Sequence, residues 1–198
     1  MKVFTHYTKL GSTSDGIRWR TILKFGNSWE VKGSVVMKNP GAANFKRPDH
    51  AAINSPEELK LLSVFDDGEF RADWYEFSSD PTMECIGRLF SEYYAAKGEL
   101  LEGVIQIFNL FYFREANLIT ALNKVSQLNL ANMVDYDVQH LTFPVYLGFA
   151  DLAWHKTYGV VARKFFNAAK KLGALYLNDD FKKKCFHSSA ISHDVWQE

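Results

Sequence analysis

The segment Val104-Ile105-Gln106-Ile107-Phe108-Asn109-Leu110-Phe111 constrains this chain most, because it reads as one continuous apolar run of strand length. A strand of that character must be covered on both faces, which is the requirement of a parallel sheet flanked by helices. Residues 145–149 read the same way, residues 29–37 end in Val35-Val36-Met37, and residues 174–177 form a further short strand. Helical spacing fills the intervals. Ile86, Leu89, Phe90, Tyr93 and Tyr94 recur at three and four residues until Gly98, and residues 118–128 and 157–172 repeat the pattern, the last with Gly173 as its stop. The expectation is one α/β domain over 1–198, a short central parallel sheet with helices on both faces, and N-terminal antiparallel strands appended.

Local signals place the joints. Gly26-Asn27 is a hairpin-type turn between β-rich residues 19–25 and the strand that follows. Asn39-Pro40-Gly41 stops that strand, since proline cannot continue a central ladder. Residues 42–80 form an irregular insertion containing a short helix opened by Ser55-Pro56-Glu57-Glu58, and its Trp74, Tyr75 and Phe77 read as an exposed aromatic patch. Asp80 then caps a helix that has Pro81 at its first position.

Charge and composition remove several classes. The 198 residues carry 23 basic and 23 acidic side chains, which argues against a highly basic nucleic-acid coat protein and against an acidic disordered tail. The longest apolar stretches, 104–113 and 143–154, fall short of the roughly 20 residues of a spanning helix, so no membrane span is expected. Met1-Lys2-Val3-Phe4-Thr5-His6 lacks the apolar core of a secretory signal, and Cys85 and Cys185 show no CxxC spacing. A cytoplasmic location with free thiols is the expectation.

In an open parallel sheet, ligands bind beyond the carboxyl ends of the strands. There the sequence delivers Asn39-Pro40-Gly41 with Asn44, then Asn109 with Arg114 and Glu115, then Asp151, Trp154 and His155, and finally residues 185–192. Asn109 interrupts an apolar strand, and a buried amide must find partners or cost roughly 1–3 kcal/mol. It either ties down a loop or recognises a ligand. Ordinary turn chemistry accounts for Asn39 by itself. His187-Ser188-Ser189 follows Lys182, Lys183 and Lys184, an arrangement that suits a phosphate or equally a solvated basic loop. Cys185, His187 and His193 match no zinc spacing, and no GxSxG, P-loop, GxGxxG or HExxH motif occurs, so no metal and no cofactor is expected.

Three ordered motifs, Asn39-Pro40-Gly41, Asp80-Pro81-Thr82 and Asn109-Leu110-Phe111-Tyr112-Phe113-Arg114, give the chain a likeness to a known family. Over residues 19–190 it resembles the bacterial and phage proteins grouped as domain of unknown function 1643. His187-Ser188 matches the first residue of that family's terminal His-Pro loop. The family usually has a shorter stretch between Gly41 and Asp80. More distantly it is similar to mismatch-specific uracil-DNA glycosylases, which implies a uracil-DNA glycosylase-like fold. The resemblance implies catalytic roles for Asn39, orienting water, and for His187, polarising a carbonyl. It also implies substrate contacts from Pro40, Gly41, Asn44, Asn109, Arg114, Ser188 and Ser189, and a nucleobase, nucleotide or nucleic acid as partner. A neutral chain can hold phosphates only through a local basic face, for which Arg163, Lys164, Lys170, Lys171, Lys182, Lys183 and Lys184 are available. The alternative class is a non-catalytic module that binds an anion or a protein. If Asn39, Asn109 and His187 act on one ligand, they must line a common cleft for a planar ring, with a stacking aromatic such as Phe45 or Phe111 nearby. Nothing in the sequence fixes the oligomeric state.

Overall fold

The structure is a computed structural model that describes residues 1–10, 16–41, 43–66, 72–115, 117–125 and 137–172. Among the described residues six strands, β1 (Lys2–Lys9), β2 (Gly16–Phe25), β3 (Val31–Met37), β4 (Asp73–Phe77), β5 (Gly103–Asn109) and β6 (Val145–Gly148), form one open sheet. Four α-helices accompany them among the described residues: α1 (Pro56–Leu62), α2 (Pro81–Ala95), α3 (Leu118–Val125) and α4 (Tyr158–Lys171). The chain is therefore mixed α/β, with strand order β4-β1-β2-β5-β3-β6.

The sheet has two halves. β5, β3 and β6 are mutually parallel, as their apolar sequences predict, while β4, β1 and β2 pair antiparallel and join at the antiparallel β2–β5 ladder. Among the described residues β6 is the last strand of this order, and the strand expected at 174–177 lies outside the described residues. From β3 the chain passes through β4 and α2 to β5 on one side, then crosses to β6 on the other side of β3.

Two expectations need correction. Gly26 does turn the chain, with φ of 59°, but β2 and β3 do not form a hairpin, because β5 lies between them. The long apolar β5 gains ladder partners on both edges this way, which a local hairpin would deny it. The irregular insertion contains β4, which pairs with β1, so Trp74 and Phe77 are core residues and not an exposed patch. Trp74 stacks on His6 with ring centroids 4.9 Å apart, and its Nε1 donates to Asp66 Oδ1 at 2.6 Å.

The helix signals hold. Asp80 accepts from Met83 N at 2.8 Å as the N-cap of α2, Pro81 occupies the first turn, and Gly98 follows the helix with φ of 75°. Ile86, Leu89, Phe90, Tyr93 and Tyr94 of α2 pack with Val35, Ile105 and Ile107. Ala162, Phe165, Phe166 and Ala169 of α4 pack with Val36, Phe108 and Val145, leaving Arg163, Lys164, Lys170 and Lys171 exposed.

β2 carries one irregularity that determines what the sheet presents. Thr5 pairs with Thr21 and Tyr7 with Arg18, so two steps along β1 match three along β2. The extra residue breaks the strict alternation of side chains. Arg18 and Arg20, two positions apart, consequently reach different clusters: the Arg18 guanidinium lies 5.8 Å from the Phe77 ring centroid and that of Arg20 lies 5.2 Å from Phe108.

Candidate functional site

A cavity of about 330 Å³ lies at the carboxyl ends of the parallel strands, the place where α/β sheets gather loops and helix N-termini. β3 and its continuation supply Met37, Lys38, Asn39 and Gly41; β5 supplies Ile107 and Asn109; β6 ends in Gly148. Over these strand ends stands the first part of α2, with Asp80, Thr82, Met83 and Ile86. Leu118 opens α3 at the rim, and Arg18 enters from β2.

Asn109 is 2 % exposed, and among the described residues its Nδ2 has no hydrogen-bond partner. A loop-tying amide would donate to a nearby carbonyl, and this one does not. Asn39 differs. Its Nδ2 donates to Glu115 O at 2.8 Å and to Pro40 O at 3.2 Å, which fastens the turn after β3 to the segment that follows β5. It lines the cavity with that amide nitrogen already engaged.

Arg114 and Asn44 serve the same loop from outside the cavity lining. Arg114 Nε donates to Ala43 O at 3.1 Å and its Nη2 to Asn44 Oδ1 at 2.6 Å. Pro40 is buried beside the lining, and Gly41, which does line it, is tight: a Cβ there would sit 3.3 Å from Asp80 Oδ2. His155, from the third strand end, accepts at Nδ1 from Thr157 N and Tyr158 N and so caps α4. His187, Ser188, Ser189, Lys182, Lys183 and Lys184 lie outside the described residues.

Among the described residues no aromatic side chain lines the cavity. Phe45 packs instead with Tyr7, Tyr75, Phe77 and His50, and Phe111 lies with Phe108 and Phe165 in the α4 cluster, so neither takes the stacking place expected of it. The walls are aliphatic, from Met37, Met83, Ile86 and Ile107. Gly148 keeps the floor open, since a Cβ there would meet Met37 Sδ at 2.6 Å and Tyr146 Cε1 at 2.9 Å.

Arg18 and Lys38 also line the cavity, and nothing in the local sequence sets either apart as a site residue. Arg18 is 3 % exposed, and among the described residues its Nε and Nη1 have no hydrogen-bond partner. Burial lowers its pKa to about 10; the Asp80 carboxylate counteracts this and Arg114 adds to it. The guanidinium is thus cationic at neutral pH. The criterion that drew attention to Asn109, a polar group interrupting a β-rich stretch, also applies to Arg18 and Arg20. Only the register of β2 separates them. Arg20 Nη1 donates to Phe65 O at 2.8 Å and its Nη2 lies 3.6 Å from Asp137 Oδ1, so Arg20 has a structural explanation.

Among the described residues, three charged side chains border the cavity, Arg18 and Lys38 positive and Asp80 negative, together with the buried amide of Asn109. Among the described residues no cluster of His, Cys, Asp and Glu has the form of a metal site, and no helix is long and apolar enough to cross a membrane. The arrangement is suited to holding a small molecule that presents hydrogen-bond acceptors. In comparisons with known proteins, no family model, curated protein or solved structure matches the chain.

Proposed function

We propose that the protein recognises a small acceptor-bearing heterocycle, a nucleobase or nucleotide, in the cavity at the strand ends, with Asn109 donating its amide to the ring edge. The unpartnered, buried Nδ2 of Asn109 is the observation that carries this reading. The order of the three motifs supplies the chemical class, and with it the proposal that Asn39 orients a water and that His187 polarises a carbonyl. A uracil-DNA glycosylase-like arrangement, with α2 and α4 on opposite faces of the parallel strands, belongs to the same reading. It is supported by the division of Val35 and Ile107 from Val36 and Phe108 between two clusters. The ring would lie against Met37, Met83 and Ile107 in place of an aromatic. The exposed Arg163, Lys164, Lys170 and Lys171 on α4 offer a basic face should the base arrive on a nucleic acid.

Calorimetric titration with uracil, nucleosides, nucleotides and uracil-containing oligonucleotides is the direct test, with Asn109→Leu as the control. Binding that disappears in the variant supports the reading, and no binding by any of these compounds eliminates it. Asn39→Ala then separates an enzyme from its alternative, a non-catalytic anion- or protein-binding module. In an enzyme the variant loses turnover and keeps affinity; in a module there is no turnover to lose. The module reading draws its support from Arg18, whose charge an anion would satisfy.

A further inference from the structure

Resting on that reading of the cavity, we propose that the ligand carries an oxyanion, a phosphate or carboxylate group, and that Arg18 is the residue that binds it. A charged guanidinium is rarely buried without acceptors, because desolvation without compensation is expensive. Arg20 on the same strand meets that requirement at Nη1 and Nη2, with a backbone carbonyl and a carboxylate beside it. Arg18 does not meet it at Nε and Nη1, and Arg18 lines the cavity. The extra residue in β2 is what turns Arg18 there, and bulges that re-aim one side chain are common beside functional sites.

The surroundings agree on the sign of the charge. Lys38 adds a second positive charge, and α2 directs its first turn at the cavity, where a helix dipole favours an anion. Pro81 has no N–H, and Met83 N and Glu84 N both donate to Asp80, which leaves the amide of Thr82 for a ligand. Asp80 offsets part of that positive charge without cancelling it. Asp80 Oδ1 is engaged by the helix, so the carboxylate also selects for a ligand that brings a hydrogen-bond donor near the anion. The second group that the ligand presents, an uncharged acceptor, goes to Asn109.

The experiment uses the full chain at constant ionic strength, with inorganic phosphate, benzoate, uridine and uridine 5′-monophosphate as probes. Two readouts are followed: the thermal midpoint, and the Arg18 Nε–H resonance, identified by its disappearance in Arg18→Lys. The expected result is that phosphate or benzoate moves the Nε–H resonance, and that the monophosphate binds roughly ten- to a hundredfold more tightly than uridine. Arg18→Gln removes that difference. A response to phosphate alone identifies a phosphate ligand, and to benzoate alone a carboxylate. Should Arg18→Gln fail to fold, the wild-type resonance decides the matter by itself. Equal affinity for uridine and its monophosphate, with a resonance that neither anion moves, overturns the oxyanion site and leaves the heterocycle reading standing. No response to any of the four probes overturns both.

Discussion

Arg18 on β2 and Asn109 at the end of β5 face one cavity, and each brings to it a buried donor that meets no acceptor among the described residues. The backbones around them are tightly fixed. Past Asn109 the chain keeps company with β2, Arg18 N donating to Tyr112 O and Arg114 N to Gly16 O, both at 2.8 Å. Among the described residues that line the cavity, Arg18 and Asn109 are the two whose buried donors lack partners, which leaves those donors open to a ligand.

Asn109→Leu tests that relationship through stability. Replacing an unsatisfied buried amide by an apolar group of similar size removes a desolvation penalty, so the variant should be about 1 kcal/mol more stable than the wild type. Urea denaturation measures it. A loss of 2 kcal/mol or so would mean that Asn109 has a structural partner and is not a recognition residue.

The two arginines of β2 should respond differently to the same substitution. Arg20→Met breaks the buried contact with the Asp137 carboxylate and should destabilise by about 3–5 kcal/mol. Arg18→Met leaves no comparable ion pair broken and should stay within about 1 kcal/mol of the wild type. Paired denaturation curves check this contrast, and equal losses would assign Arg18 to the core.

Gly33 marks a close approach that no side chain tolerates. It lies where β3 shifts register against β5, at a φ of 155°, and a Cβ would meet Phe90 Cε1 at 2.4 Å and Pro144 O at 2.8 Å. Gly33→Ala should cost on the order of 3 kcal/mol, since α2 and the segment before β6 cannot both retreat. The thermal midpoint reports it, and an unchanged midpoint would show that the neighbours yield.

Alkaline pH should unfold the protein through its tyrosines. Burial raises the pKa of Tyr146, helped by Cys85, and burial is likewise the main cause of upward shifts at Tyr75, Tyr94 and Tyr158. A raised pKa in the folded state means stability that is complete below the ordinary tyrosine value of 10.0 and declines above it, as the unfolded chain ionises first. Stability measured from pH 8 to 11 should therefore fall at the upper end of that range, with tyrosinate absorbance appearing as the fold is lost. Tyrosinate absorbance that develops near pH 10 with no change in stability would contradict the prediction.

What the residues determined by themselves were the features with a local cause. Asp80 and Pro81 start α2 because a capping carboxylate and a fixed φ act within one turn, and the apolar runs of β3, β5 and β6 specify strands covered on both faces. Asn109 was visible because one amide in an apolar strand is anomalous at any register. Tertiary structure alone decided the partners. It placed β5 between β2 and β3, drew β4 out of an irregular stretch to cover β1, and buried Trp74 and Phe77 in the process. It also chose between Arg18 and Arg20. Period-two alternation puts both on one face, and the one-residue mismatch between β1 and β2 sends them to two, because a register shift moves side chains across the sheet without any change in composition.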